Sequence, residues 1–184
     1  MRFLRTIVGD GSAGAVFCRM LPYEGTPIKD DLARTGRLLG DVCNPTYNFL
    51  DPKLDEFYEA LTQVINVTGW VHGYGALSPQ LNWAWHEVAL IDRLFPHIPE
   101  LSAYKDKLRG ITKASNELLM RVVEDMSYAF SDARANPWSA QELEGHCRRW
   151  VESLLRERNE FVFRNQHTLL SALQEGIQEQ VACT

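Results

Sequence analysis

The residues of this chain best suited to proton chemistry are a histidine and two acids within one apolar stretch. His86 and Glu87 are adjacent, and Asp92 follows them closely. His86-Glu87 begins the H-E-x-x-H zinc motif, but Leu90 occupies the position of the second histidine, so we predict no metal site. The remaining hypothesis is acid–base chemistry, in which His86 or His72 carries the proton and Glu87 or Asp92 orients the histidine.

An aromatic loop precedes these groups. Residues 68–77, TGWVHGYGAL, alternate glycines with Trp70, His72 and Tyr74. Glycine permits unusual backbone angles, and binding residues often lie in loops. One interpretation is therefore a mobile loop over a pocket. The interpretation we favour is a rigid turn whose aromatic side chains close the end of a helical bundle.

Together these features define a hypothetical pocket between three elements. It would lie between the central helix, the aromatic loop and a helix formed by residues near 146–150. Aromatic walls suit a planar or apolar ligand, and no cofactor is predicted. The residues expected to contact the ligand are Trp70, Tyr74, Trp85, His146 and Trp150.

The central helix is predicted from residues 78–95, SPQLNWAWHEVALIDRLF. Ser78 can cap the first free N–H groups, Pro79 suits the first turn, and Pro96 ends the helix. Most of the circumference is apolar, which is typical of a helix buried on several sides. We therefore expect this helix at the centre of the molecule. Its apolar residues include Trp83, Ala84, Trp85, Val88, Leu90, Ile91, Leu94 and Phe95.

Glu87 and Asp92 interrupt this apolar surface. A buried carboxylate without a partner is costly, so each acid must be paired, protonated or placed at an edge. One hypothesis is an acid or base with a tuned pKa in a tryptophan-lined pocket. We favour an ion pair with an arginine of a neighbouring helix, or exposure at the rim of the helix.

The N-terminal segment has two β-prone runs, at residues 2–8 and 15–21, separated by Gly9 to Gly14. They predict a short hairpin or an extended arm. The glycines also fit the dinucleotide-binding pattern G-x-G-x-x-G. Too few residues separate Gly14 from Pro22 to form the crossover helix that such a site requires, so we favour a simple glycine-rich turn.

Amphipathic periodicity predicts further helices along the rest of the chain. Ser139 and Glu142 form a capping box, but the polar segment 156–160 leaves open whether one helix or two follow it. The predicted helical segments run from 27 to about 39, from 52 through 65, from 100 to about 130, from 139 through 154 and from 160 to about 181.

Composition and charge limit the classes of partner. The 184 residues are 45% hydrophobic and 23% charged, with a formal net charge of -5. This charge argues against a nucleic-acid binder, and the arginines near residues 148–164 alternate with acids that favour ion pairs.

No apolar run approaches the ~20 residues of a membrane span, and no signal-peptide core is visible. We expect a cytoplasmic protein without membrane contact.

The sequence thus predicts a mainly α protein: an irregular bundle of about five or six helices with a short N-terminal β-hairpin or extended arm. We expect a single domain over residues 1–184, with the hairpin or arm at 1–22 and the bundle at 27–184. The function we favour is a non-catalytic interaction or regulatory protein that self-associates or binds another protein. The alternative is a small-molecule enzyme or binder that uses the hypothetical pocket.

Overall fold

The computed structural model describes residues 1–67, 69–71, 75–95 and 98–182, and the side chains of Val67 and of residues 172–182 are excluded from the description. Within these residues the chain forms six helices and one two-stranded antiparallel hairpin, so the predicted mainly α class is confirmed. The elements, in chain order, are α1 (Arg2–Val8), α2 (Pro27–Arg34), β1 (Leu38–Gly40), β2 (Pro45–Tyr47), α3 (Pro52–Val67), α4 (Leu77–Leu94), α5 (Leu101–Ser131) and α6 (Ala140–Ala182).

The hairpin lies later in the chain than predicted. Residues 2–8 form α1 rather than a strand, and residues 14–23 are an arm without regular secondary structure. The strands are β1 and β2, in which Leu38 pairs with Tyr47. Asp41 accepts hydrogen bonds from two backbone N–H groups of the turn, both at 2.8 Å, which stabilises the reversal. The placement of the strands at 2–8 and 15–21 was therefore wrong.

A buried asparagine on α5 holds the N-terminal segment and explains this difference. The Asn116 amide nitrogen donates to the carbonyl oxygens of Val8, at 3.0 Å, and Ala13, at 2.8 Å. Its amide oxygen accepts from the backbone N–H of Ala15 at 2.8 Å. The backbone groups that a hairpin would have paired are thus satisfied by a side chain about one hundred residues away.

The glycines between α1 and the arm allow close packing on α5. Gly11 has a φ of 78°, and a Cβ atom placed on it would lie 2.3 Å from the carbonyl oxygen of Arg109. Any other residue would therefore be both strained and in collision. A helix precedes this loop and an extended segment follows it, which is the reverse of the dinucleotide-binding order.

Helix α1 is also fixed to α5 by charge. The Arg5 guanidinium donates to the carboxylates of Glu117, at 3.1 Å, and Glu124, at 2.8 and 2.9 Å. The hydrogen bonds from Arg5 hold the pKa of Glu124 below its usual value, and both carboxylates raise the pKa of Arg5. Because the depressed pKa of Glu124 favours the folded state above acidic pH, this contribution to stability is lost as the pH falls.

The long helices share one apolar core, in which α3 and α4 each pack against α5 and α6. Helix α4 begins and ends within a residue of the prediction, but it is not buried on several sides. Its inner face is buried, whereas Trp83 is 74% exposed and Leu90 58% exposed. The expectation of an enclosed central helix was wrong, because the other helices cover only one side of α4. The buried residues of α4 are Leu77, Leu81, Ala84, Val88 and Ile91.

Helix α6 is continuous over 43 residues, which settles the question left open by the polar segment 156–160. Helix α5 is likewise continuous over 31 residues and passes through Gly110 without a break. Among the described residues, none of the helices is both long and apolar enough to cross a membrane.

We predict that Asn116→Ala lowers the free energy of unfolding by about 2–4 kcal/mol, because it leaves buried backbone groups without partners. Hydrogen exchange at residues 1–15 should become faster than in the wild type. Asn165→Ala is the matched control, since Asn165 is equally buried but donates only to the carbonyl of Phe161 in its own helix. Unchanged exchange in the arm of Asn116→Ala would contradict the assignment.

Candidate functional site

A groove with a volume of about 580 Å³ lies between α4 and α6. We call it the α4–α6 groove. Its walls are mostly apolar, and its polar groups come from both helices. The residues that line it are Gln80, Trp83, Ala84, His86, Glu87, Leu90, Leu154, Leu155 and Arg158.

An ion pair bridges the two helices in this groove. The Arg158 guanidinium donates to the Glu87 carboxylate at 2.7 Å. This hydrogen bond raises the pKa of Arg158 above its ordinary value. The preference for an arginine partner of Glu87 on a neighbouring helix is therefore confirmed.

A buried tyrosine lies behind the ion pair. The Tyr104 ring stacks on Phe161 with centroids 4.7 Å apart, and the residue is only 4% exposed. Its hydroxyl has no hydrogen-bond partner among the described residues. Burial, and next the negative charge of Glu87, raise the pKa of Tyr104 to about 12. The helical periodicity of the sequence predicts only that Tyr104 faces the interior of the bundle.

His86 lies on the exposed side of α4. Its Nδ1 donates to the carbonyl oxygen of Asn82 at 2.7 Å, one turn earlier in the same helix. The residue lines both the α4–α6 groove and a second groove of about 570 Å³, which also includes Val71 and Pro79. His86 is thus accessible, and a backbone carbonyl rather than an acid orients its ring.

Asp92 is separated from His86 by about 120° around the helix, given a turn of about 100° per residue. Its carboxylate pairs with Lys105 of α5 at 2.8 Å and is about half exposed. This is the predicted position at the rim of the helix, although the partner is a lysine rather than an arginine. The arrangement gives Asp92 a structural contact away from the groove.

Trp85 faces α5 rather than the groove. Its indole Nε1 donates to the Thr112 hydroxyl at 3.2 Å, and that hydroxyl donates to the carbonyl of Leu108 at 2.9 Å. Thr112 is fully buried. Trp85 therefore anchors α4 on α5, and the role in ligand binding that the sequence suggested stays a prediction without a contact in the groove.

Trp70, His146 and Trp150 form a ring cluster of their own. The Trp70 and Trp150 rings meet edge to face with centroids 6.1 Å apart, and the His146 ring lies 5.6 Å from that of Trp150. Trp70 is buried in the core, as expected of an aromatic residue that closes the end of a bundle. His72 and Tyr74, the remaining predicted site residues, lie outside the described residues.

The arginine-rich part of α6 is largely neutralised, as the interleaved acids predicted. Each of four arginines contacts a carboxylate on α4, on α6 or at the start of α5, which leaves little free positive charge for phosphates. These pairs are Arg148 with Glu144, Arg156 with Glu157, Arg158 with Glu87 and Arg164 with Glu100.

Sequence reasoning identified the α4 half of the groove, His86 and Glu87, but missed the half contributed by Leu154, Leu155 and Arg158. Periodicity assigns Leu154 to an inner face without specifying which helix opposes it. The chain matches no protein-family model, and no curated protein or solved structure shows significant similarity to it.

We predict that Tyr104→Phe leaves stability at neutral pH unchanged or slightly higher, because it removes a buried hydroxyl without a partner. The raised pKa of Tyr104 also makes the folded state bind its proton more tightly, so wild-type stability falls as the pH rises from about 10 towards 12. Urea unfolding as a function of pH should show a smaller alkaline loss for Tyr104→Phe.

Tyr128→Phe is the control for this experiment, since Tyr128 is an exposed tyrosine on the same helix. We expect its alkaline behaviour to match that of the wild type. A loss of more than about 1 kcal/mol at pH 7 in Tyr104→Phe would mean that the hydroxyl has a partner after all.

Proposed function

We propose that this protein is a non-catalytic interaction protein that self-associates through the α4–α6 groove. The observation that carries the proposal is the position of Trp83, which is 74% exposed at the edge of an apolar groove. Leu90 and Leu155 line the same groove and are also exposed. Exposed tryptophan and leucine side chains grouped at one groove are typical of protein–protein contact sites.

A second copy of the chain is the occupant that this surface fits best. Trp83 projects beside a concave region of about 580 Å³ on the same face. In a two-fold symmetric contact each copy presents the same patch, so each would insert its Trp83 beside the groove of the other. Tryptophan in such a central, desolvated position is among the residues that contribute most to binding energy.

The charges of the groove are compatible with this contact. Glu87 and Arg158 neutralise each other within one chain, so neither needs a charged partner from a second copy. The net charge of -5 opposes association only through longer-range repulsion. Salt at physiological concentration screens such repulsion beyond about 8 Å. The contact would therefore be governed mainly by apolar burial.

We predict that Trp83→Ala weakens homodimerisation by about 30- to 1000-fold, which corresponds to about 2–4 kcal/mol. Sedimentation equilibrium over a range of protein concentrations measures the effect. Because Trp83 is exposed in the isolated chain, the free energy of unfolding of the monomer should change by no more than about 0.5 kcal/mol.

Phe163→Ala is the matched control, since Phe163 is 72% exposed on α6 but is not among the groove residues. It should leave the dimer intact. Self-association through this face would be excluded if the wild type remained a monomer up to roughly 100 µM, a concentration that detects even weak dimers. Equal weakening by both substitutions would also exclude it.

A small-molecule binder or enzyme is the second candidate. The observation that favours it is the junction of two grooves at His86, where apolar walls meet a histidine and the Glu87–Arg158 pair. A site of this composition suits a planar, apolar molecule that carries a polar group. His86 would then be the group that contacts the polar end of the ligand.

For this second candidate we predict that an aromatic dye with a sulfonate group, anilinonaphthalene sulfonate, binds the monomeric chain at one site. Leu155→Ser should weaken binding by about tenfold by removing part of the apolar wall. Fluorescence titration of Trp83→Ala distinguishes the candidates, because loss of the dimer with retained dye binding would favour the small-molecule function. No saturable dye site on the monomer would exclude it.

A further inference from the structure

The guanidinium of Arg19 lies among three aromatic rings, those of Tyr47, Phe49 and Tyr58. Its Cζ atom lies 4.5 Å from the ring centroid of Phe49, 4.6 Å from that of Tyr58 and 5.3 Å from that of Tyr47. Cations within about 6 Å of an aromatic face are attracted by the electron density of the ring. With the Asp55 carboxylate, these rings form what we call the guanidinium cage.

The cage also supplies hydrogen-bond acceptors at two positions. Arg19 Nη1 donates to the carbonyl oxygen of Tyr47 at 2.6 Å, and Nη2 donates to the Asp55 carboxylate at 2.8 Å. Asp55 is oriented in turn by the backbone N–H of Phe49 at 3.0 Å. The acceptors therefore belong to α3 and to the hairpin, and they do not depend on the arm that carries Arg19.

This geometry selects a planar guanidinium over other cations. Two acceptors that face separate N–H groups match the fork of a guanidinium, while three rings lie within about 6 Å of its central carbon. A quaternary ammonium carries no N–H donor and could not form a hydrogen bond with either acceptor. A lysine ammonium could reach the carboxylate, but it lacks the flat surface that stacks on the rings.

Besides the Arg19 side chain, the arm that fills the cage is held by two backbone hydrogen bonds, from the N–H of Ala15 to Asn116 and from the N–H of Arg19 to the Tyr58 hydroxyl, and by the partly buried Phe17. Residues 14–23 have no regular secondary structure, and Val16, Met20 and Leu21 remain about half exposed. Arg19 Nε is buried without a hydrogen-bond partner among the described residues. Arg19 thus uses only part of its hydrogen-bonding capacity, although both acceptors of the cage receive a hydrogen bond.

We propose that the guanidinium cage is a recognition site for an arginine side chain of a partner protein segment, and that Arg19 occupies it as an internal ligand in the free chain. Binding of the partner would then release the arm at residues 14–23 by competition for the same rings and acceptors. This site is separate from the α4–α6 groove and does not rest on self-association.

The first test is chemical rescue of Arg19→Ala. Methylguanidinium, at about four times its dissociation constant, should raise the unfolding midpoint of this variant by about 2–4 °C. Tetramethylammonium at the same concentration should not do so. Adding Phe49→Leu to Arg19→Ala should abolish the rescue. If Arg19→Ala is unfolded alone but folds with methylguanidinium, the proposal is likewise supported.

Three outcomes of this test would overturn the proposal. They are equal effects of the two cations, rescue that persists after Phe49→Leu, and failure of methylguanidinium either to stabilise Arg19→Ala or to restore its fold. Each would mean that the rings serve only to hold the arm through packing.

The second test uses the wild-type chain and an added peptide with the sequence of residues 14–23. Excess peptide should at least double the hydrogen-exchange rates of the backbone amides of Ala15–Leu21, because the arm is displaced. The same peptide with alanine in place of its arginine should have no effect. Unchanged exchange with the arginine peptide would show that the internal ligand is not exchangeable, and free arginine amide producing the full effect would point to a small metabolite instead.

Discussion

Burial of the apolar face of α5 is the constraint on which the other elements depend. Helices α1, α3, α4 and α6 all pack against it. Two of its buried polar residues, Thr112 and Asn116, are each satisfied by a group from another part of the chain. A buried polar group without a partner is costly, so these bonds specify which segment lies where, while apolar burial supplies most of the stabilisation.

The helices were predictable because their signals are local. Proline in the first turn and the apolar period locate α3 and α4, and the apolar period locates α5, each to within a few residues. The arm and the hairpin were not predictable, because their hydrogen-bond partners lie far away in sequence. Asn116 and Asp55 each bind backbone groups of a segment whose propensity alone favours a different structure.

The candidate site was predictable only in part, and helical geometry explains the division. Trp83 and Trp85 lie about 200° apart around α4, so they could not line one pocket together. The structure places one in the open and the other against Thr112. An apolar composition around the whole circumference is equally consistent with a helix at the centre of the molecule and with a helix whose outer face is exposed. Composition does not distinguish these cases.

Two arginine–carboxylate ion pairs, Arg158 with Glu87 and Arg19 with Asp55, lie in different environments. Arg158 meets Glu87 in an open groove, where water competes for both charges, and such pairs contribute little to stability. Arg19 meets Asp55 beneath three aromatic rings, where fewer solvent molecules compete and each acceptor is oriented in advance. Specific recognition of a cation requires the second kind of environment, because only a partly desolvated and rigid site discriminates a planar fork from other positive groups. The groove instead offers area and shape, which suit an apolar surface. The guanidinium cage and the α4–α6 groove therefore differ in the chemistry of the surfaces that they present.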